Sequence, residues 1–515
     1  MTLLNRTILL TALAMPASGY ALEADTATAT VPAIQRVAMH GDMMRSMPAL
    51  SFDNPALKQW EQSYSYTSLT VDAVSDRANR AVDTQRGKGE TAWSVGAESQ
   101  MKYKSSTLWG SAAYRNGRKL GINWNESSDA DIIYPYFTAD SIGGDMRMET
   151  YSFAGGYADH TDRWGWGVTA AYTAGLYYRN VDPRPRNTTS RLDIAAGGSV
   201  RIGASAYLAG VTVNYRKYKQ SCDIEFVNEL SDNRIWHLTG LGTHYERFAG
   251  NGYNHYYNGQ RFGAGINLFP ESRRGAVASI GFSSFSFDHI LTALNKLPLQ
   301  SATDNQLTAQ AGWLAPGRVH DIAAMLTVTC GKRKGTENLF GDPSGNVYPQ
   351  IGALDLYAHS YLSATVNALW QWRPAASALL SVNPRIAFDR SDESYLDPRR
   401  KLLLTSLTPA LTVKGGMLLG RDWHASASLD FACALPVDNV CDLPYQSGIP
   451  AGMQAVDRDR YDILSKSHTL AGVSAELTRA ISDNYALSIS LSYARHSYTA
   501  GIHSDCARAA VSLIF

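Results

Sequence analysis

The feature that most constrains this chain is a period-two alternation of apolar with small polar residues, kept up over runs too long for an ordinary soluble sheet. In 485–493, Tyr485, Leu487, Ile489, Leu491 and Tyr493 alternate with Ala486, Ser488, Ser490 and Ser492. In 164–178, Trp164, Trp166, Val168, Ala170, Tyr172, Ala174, Leu176 and Tyr178 share one face, with Gly165, Gly167, Thr169, Ala171, Thr173 and Gly175 on the other. Successive side chains of a strand point to opposite faces, so each run is one apolar and one small polar surface. Globular strands centre on about 5–6 residues, whereas a strand crossing a bilayer at a tilt needs about 9–11. Length therefore favours a membrane barrel over a soluble sandwich or propeller, which can share the period.

Composition agrees. Charged residues are 18% of the chain, against roughly 25% in an average globular protein. Glycine (42) and tyrosine (28) are abundant. No stretch after residue 21 is a membrane-spanning helix, and the mean hydropathy is only −0.22. A barrel shows lipid every second side chain, so its average hydropathy stays low. The net charge of +1 and the pI near 7.7 give no electrostatic case for nucleic acid.

Residues 1–21 read as a secretory signal peptide: Arg6 supplies the basic region, Ile8 opens an apolar run to Met15, and Gly19, Tyr20 and Ala21 offer a small-residue cleavage site. Residues 22–63 then form a periplasmic or plug segment, and 64–515 the barrel.

Further strand-like segments lie at 108–114, 208–217, 262–269, 362–372, 470–477 and 507–515. Short turns fall at 104–105, 160–163, 203–205, 270–275, 316–317, 373–376, 420–421 and 482–484, and longer connections at 118–145, 220–259, 333–354 and 436–466. Short turns on one rim and long loops on the other is the outer-membrane arrangement. Counting strands outward from the turns, and closing the ring with 64–74 and 507–515, predicts an all-β, transmembrane, antiparallel up-and-down β-barrel of about 18 strands, within 16–20. Both termini are expected in the periplasm. Trp164, Trp166, Trp313, Trp370, Trp372, Trp423, Tyr485 and Phe269 lie near short turns and are expected to form an aromatic girdle. Glu98, Arg115, Arg216, Arg261 and Glu476 fall on the opposite, lumen face.

The closing run Ala507-Arg508-Ala509-Ala510-Val511-Ser512-Leu513-Ile514-Phe515 resembles the final strand of outer-membrane proteins, whose terminal aromatic residue is part of the assembly signal. The resemblance implies the barrel assembly machinery as a partner. The whole chain resembles a poorly characterised family of large outer-membrane barrels from gut-type Gram-negative bacteria. Asn54, Pro55 and Ala56 are similar to the Asn-Pro-Ala segment of long-chain fatty-acid transporter-like barrels, where it lies in an N-terminal hatch inside the lumen. An Asn-Pro pair is also a common turn opener.

Chemistry-bearing constellations are sparse. Cys433 and Cys441 flank a Pro-containing segment and are candidates for a loop disulfide, against the alternative of two unrelated thiols. His424, His468 and His496 cannot be paired into a catalytic set from sequence. In 220–259, His237, His244 and His255 sit among Trp236, Tyr245, Tyr253, Tyr256 and Tyr257, which marks the segment as a recognition loop; the histidine spacings fit no zinc pattern. Met39, Met43, Met44 and Met47 around His40 suit either copper(I) or, more simply, flexible plug packing. Arg333-Lys334 and Arg399-Arg400-Lys401 read as solvated or lipopolysaccharide-facing rims. Walker, dinucleotide, HExxH and calcium-loop signatures are missing.

The expected function is an outer-membrane channel or transporter for a small ligand, gated by its long loops. The rivals are a binding or assembly component, docking an extracellular or periplasmic protein, and an outer-membrane hydrolase. No enzyme activity, metal or cofactor is expected.

Overall fold

The computed structural model describes residues 31–515 except 204, 229–233, 251–253 and 346. The signal segment 1–21 and residues 22–30 of the next segment lie outside the described residues.

The alternating runs form long antiparallel strands: β1 Tyr66–Ala78, β2 Gly89–Lys102, β3 Ser106–Ile122, β4 Gly144–His160, β5 Trp164–Tyr178, β6 Arg184–Arg201, β7 Tyr207–Glu225, β8 His255–Pro270 and β9 Gly275–Leu291. They continue as β10 Leu297–Ala315, β11 His320–Phe340, β12 Gln350–Ala375, β13 Ala378–Tyr395, β14 Arg400–Leu419, β15 Trp423–Pro436, β16 His468–Ala480, β17 Ala486–Ser497 and β18 His503–Ile514. Nineteen strands belong to the sheet; the three-residue Val440–Asp442 merely extends the rim beside β14, which leaves eighteen. Each pairs with its sequence neighbours, and β18 returns to β1 through Val71↔Val511 and flanking pairs. Backbone bonds between Thr67 and Phe515, at 2.9 and 3.0 Å, seal the seam. Closure leaves no edge whose N–H and C=O groups would be stranded in lipid.

The period-two faces resolve as expected. Val211, Val213, Phe262, Ile266, Phe282 and Leu326 point outward and exposed. Trp164, 61% exposed, heads a band of outward rings near the short turns with Trp166, Trp313, Trp370, Trp372, Trp423 and Tyr485. Phe269 does not belong to that girdle: it is fully buried, on the inner face, against Phe52 at 5.3 Å. Its odd number on β8 puts it opposite in phase to Phe262 and Ile266, so proximity to a turn was misleading where phase decides.

Inward charges pair across neighbouring strands. Arg216 stands directly opposite Asp193 at 2.5 Å, and Arg333 opposite Asp304 at 2.8 Å. Each of the eight short turns falls between consecutive strands. Several long connections are shorter than expected because the strands run further than the alternation indicates; residues 333–354, for instance, reduce to a 341–349 connection.

Candidate functional site

Two separate bodies occupy the lumen, one at each end, and a polar space remains among the walls and loops. At the short-turn end, α1 (Ala33–His40), α2 (Met43–Ser46) and the 3-10 segments Ala49–Asp53 and Pro55–Trp60 form a plug. Met44, Met47, Phe52 and Leu57 pack on an apolar stretch of inner wall made by Leu208, Phe269, Val277, Leu314, Met325 and Leu369. Asn54, Pro55 and Ala56 are buried at the plug's point of closest approach. The Asn54 amide donates to the carbonyls of Gly198 (3.4 Å) and Val211 (3.1 Å) and to Asn267 Oδ1 (3.1 Å), while its own Oδ1 accepts from Ala56 N–H (3.0 Å).

The facing wall is glycine: a Cβ on Gly197 would lie 1.9 Å from Asn54 Oδ1, one on Gly210 2.6 Å from Nδ2, and one on Gly167 2.6 Å from the Pro55 carbonyl. Those glycines are the small-residue face of the alternation. Wall side chains hold the plug: Arg273 donates to the carbonyls of Met44 and Arg45, Arg373 pairs with Asp42 at 3.2 Å, and Lys414 bonds the Gly41 carbonyl at 2.7 Å.

The methionine cluster does not converge on His40. Met44 and Met47 turn to the wall and Met39 to solvent, while the His40 ring stacks on Tyr66 at 3.9 Å. Burial and the neighbouring Arg45 and Lys414 hold that imidazole down at about 4. Thioethers that separate in this way satisfy packing, not ligation.

At the other end, loop 123–143, which holds α3 (Ala130–Ile133), and residues 234–250 of the second loop fold into the barrel. Thr138–Ala139 from the first pairs with Trp236–Gly240 from the second, which pairs in turn with Thr243–His244. Ile133, Tyr136, Phe137 and Leu238 pack on inward Tyr218, Tyr257 and Phe287, and on Met453 and Val456 of α4 (Ala451–Leu464). Polar wall groups then fix the loop backbones: Asn187 bonds the Glu126 carbonyl at 2.6 Å, Arg333 the Tyr134 carbonyl at 2.8 Å, and Arg400 the Leu241 carbonyl at 2.9 Å.

Glu393 on β13 is the junction of this assembly. Its Oε2 accepts from Tyr134 of the first loop (2.6 Å) and Tyr357 of the wall (2.9 Å), and its Oε1 accepts from Arg460 of α4 (3.0 Å). Arg460 also pairs with Asp457 at 3.0 Å. Burial opposes the charge on Arg460, but the two carboxylates outweigh it and hold the guanidinium charged, while burial pushes Asp457 up to about 6. Removing one partner from such a buried set leaves the others uncompensated.

Between wall and loops lie two adjoining cavities, of about 820 and 360 Å³. They share Asp83, Gln85, Arg86, Asp131 and Arg460, and Arg86 and Asp131 form an ion pair. Glu90, Lys119 and Asn125 line the larger; Asp304, Arg333, Tyr361 and His359 line the smaller. Both signs are interspersed, so the space suits a polar ligand of low net charge.

Other sequence candidates are redistributed. His237 and His255 do meet, joined by His289 from β9, with ring centroids 5.0–6.1 Å apart, whereas His244 faces an outer groove. Among the described residues, no group of three or more His, Cys, Asp or Glu side chains is arranged to hold a metal ion. His468 and His496 lie together at 5.0 Å, with Tyr498 donating to or accepting from His496 Nδ1 at 2.9 Å; His424 is elsewhere, beside the plug.

Cys433 and Cys441 are both free thiols, and no disulfide joins them. Cys441 stands opposite Leu402, while Ala432, next to Cys433, stands opposite Ala410. That puts the thiols on the order of 20 Å apart along the wall at strand rise, far beyond bonding reach. Arg333 and Arg400 are not solvated rims: the first is paired in the lumen and the second fully buried, whereas Arg399 is exposed and Lys334 and Lys401 pair with Asp355 and Asp392. Glu393, Tyr134 and the Asp457–Arg460 pair of one helix carry no motif, and the three segments lie far apart in sequence. Their only trace is an acidic residue in the inward phase of a strand.

A family model described as a family of unknown function (DUF6850) matches residues 55–515. No curated protein matches the chain. Similar solved structures include the ferric enterobactin receptor of Pseudomonas aeruginosa, 8% identical over 88% of this chain and 81% of that one, with a TM-score of 0.39. The ferric preacinetobactin receptor of Acinetobacter baumannii is 9% identical over 88% and 80%, at 0.42. CymD, a monoaromatic hydrocarbon channel, is 10% identical over 94% and 97%, at 0.31. None of these three is a fatty-acid transporter, and likenesses this distant assign no ligand to this chain.

Proposed function

This chain belongs to that family of unknown function, and we propose that it is an outer-membrane channel or transporter for a small polar ligand, its lumen occupied from both ends. The carrying observation is the lumen: a closed barrel with an apolar exterior encloses charged, solvent-sized cavities, and what blocks it is held by side-chain contacts that can be broken one at a time. In this reading the short turns and both termini face the periplasm, residues 32–65 are an N-terminal hatch seated through Asn54, Pro55 and Ala56, and the long loops face the cell exterior amid lipopolysaccharide. The charged lining argues against a fatty acid or hydrocarbon as cargo.

The test is conductance in planar bilayers. Wild-type protein is expected to be nearly silent, and Glu393→Gln to raise the open fraction by about tenfold or more, because it strips the charge that joins Tyr134 and Arg460 to the wall. Folded, heat-modifiable Glu393→Gln protein that neither conducts nor admits small solutes into liposomes would sink the channel. A lumen filled from both ends equally fits a barrel that only docks a partner, and that null result would favour it.

A further inference from the structure

We propose that the groove on the outward side of the loop plug is a binding site for a neutral oligosaccharide. Taking that sugar as the cargo of the pore rests on the channel reading above; the binding itself does not.

The groove encloses about 980 Å³, within the range of small-ligand sites, and three separate segments build it: 234–250, the end of β13 through Asp397 and Pro398, and 445–449. Its base is fixed. Tyr395 is buried and donates to Glu337 Oε1 at 2.7 Å, and Gln454 of α4 both accepts from the Gln446 N–H and donates to its carbonyl, each at 2.8 Å. Preorganisation of this kind lowers the cost of binding.

Aromatic surface stands unused above that base. Tyr445 is 67% exposed at a loop tip, and half-buried Trp236 is backed by Trp124 at 5.5 Å. Around these rings are the carboxylates of Glu246 and Asp397, the amide of Gln446 and the hydroxyl of Ser447. His244 adds a buried Nδ1 with no hydrogen-bond partner. A pyranose has an apolar C–H face and a rim of hydroxyls that both donate and accept. Flat rings beside acceptor-only carboxylates and a two-way amide are its complement.

Other ligand classes fit less well. Arg234 against Glu246 and Asp397 gives no single-sign field to select a phosphate or a polyion. A peptide adding as a strand needs an open edge of useful length, and the edge strand that lines this groove, Thr243–His244, is only two residues long.

The full-length barrel, in a detergent without a sugar headgroup, is titrated calorimetrically with maltohexaose, cellohexaose, chitohexaose and xylohexaose, and with hexaalanine. At least one hexasaccharide is expected to bind. Tyr445→Ala should weaken it about tenfold or more, and Tyr445→Phe by less than about twofold, since the ring face and not the hydroxyl makes the contact. Asp397→Asn should weaken it as well. Heat-modifiable mobility checks that each variant is folded. The inference is overturned if no hexasaccharide binds, if hexaalanine binds in their place, or if binding survives both Tyr445→Ala and Asp397→Asn. Conductance of Glu393→Gln separates the two readings: a conducting barrel that binds no sugar overturns only this site, and a sugar-binding barrel that never conducts overturns only the channel.

Discussion

Adjacent residues in this chain meet opposite environments. Arg333 is paired inside the lumen and bonded to a loop carbonyl, while Lys334 reaches an aspartate on the outer surface. Strand phase assigns them, and a basic dipeptide read as a patch conceals it. The same holds for His237, which sits on an inserted loop with both ring nitrogens buried and unpartnered. Burial, with His255 and His244 adding, drives its imidazole down to about 3. A histidine held neutral in the seated loop and free to ionise once released stabilises seating fully above its ordinary value near 6.5, and that contribution falls away as pH drops from there toward 3. At pH 5 the loss owed to His237 is about 2 kcal/mol. Protease cleavage within 226–254 should therefore accelerate between pH 7.5 and 5, and His237→Gln should flatten the response. A cleavage rate independent of pH in the wild type would contradict this.

Elements fit by matched surfaces. The plug's Asn54 projects into a cradle of Gly197 and Gly210, with Gly167 against the Pro55 carbonyl, and no larger residue leaves room for them. Gly197→Val suits a strand by propensity, so the wall should fold unchanged, but the plug must leave its seat. The lost Asn54 bonds are worth about 1–3 kcal/mol together with the groups they strand. Limited proteolysis should then cut residues 32–65 faster in Gly197→Val than in wild type, and bilayer recordings should show longer openings. Unchanged protection of the plug would mean that the cradle does not hold it. The loop end works otherwise: its apolar contacts with Tyr218, Tyr257 and Phe287 give cohesion, and Glu393 gives a single point at which cohesion can be released.

On the scale of the molecule, closure is what makes the strands viable. β18 bonds to both β17 and β1, so removing residues 503–515 would bare two strand edges at membrane depth. The truncated chain should lose heat-modifiable mobility and protease resistance altogether, unlike the point variants above, and retention of either would show that closure does not depend on this seam.

How much of this was legible beforehand follows from the range of each interaction. The alternation along single strands, the turn residues and the aromatic ends are local, so the sequence by itself determined an antiparallel barrel of about eighteen strands, its two unlike rims and most of its girdle. Phase errors arose where a residue was placed by nearness to a turn, as with Phe269. Only the tertiary structure decided what fills the lumen. Tyr134, Glu393 and Arg460 meet across 326 positions of chain, Asn54 meets glycines more than a hundred residues away, and Cys433 and Cys441 are held apart although the chain brings them close in number. Pairings of that kind are fixed by strand register and loop insertion. No local pattern records them, because the energy that selects them comes from desolvated contacts between segments that are strangers in sequence.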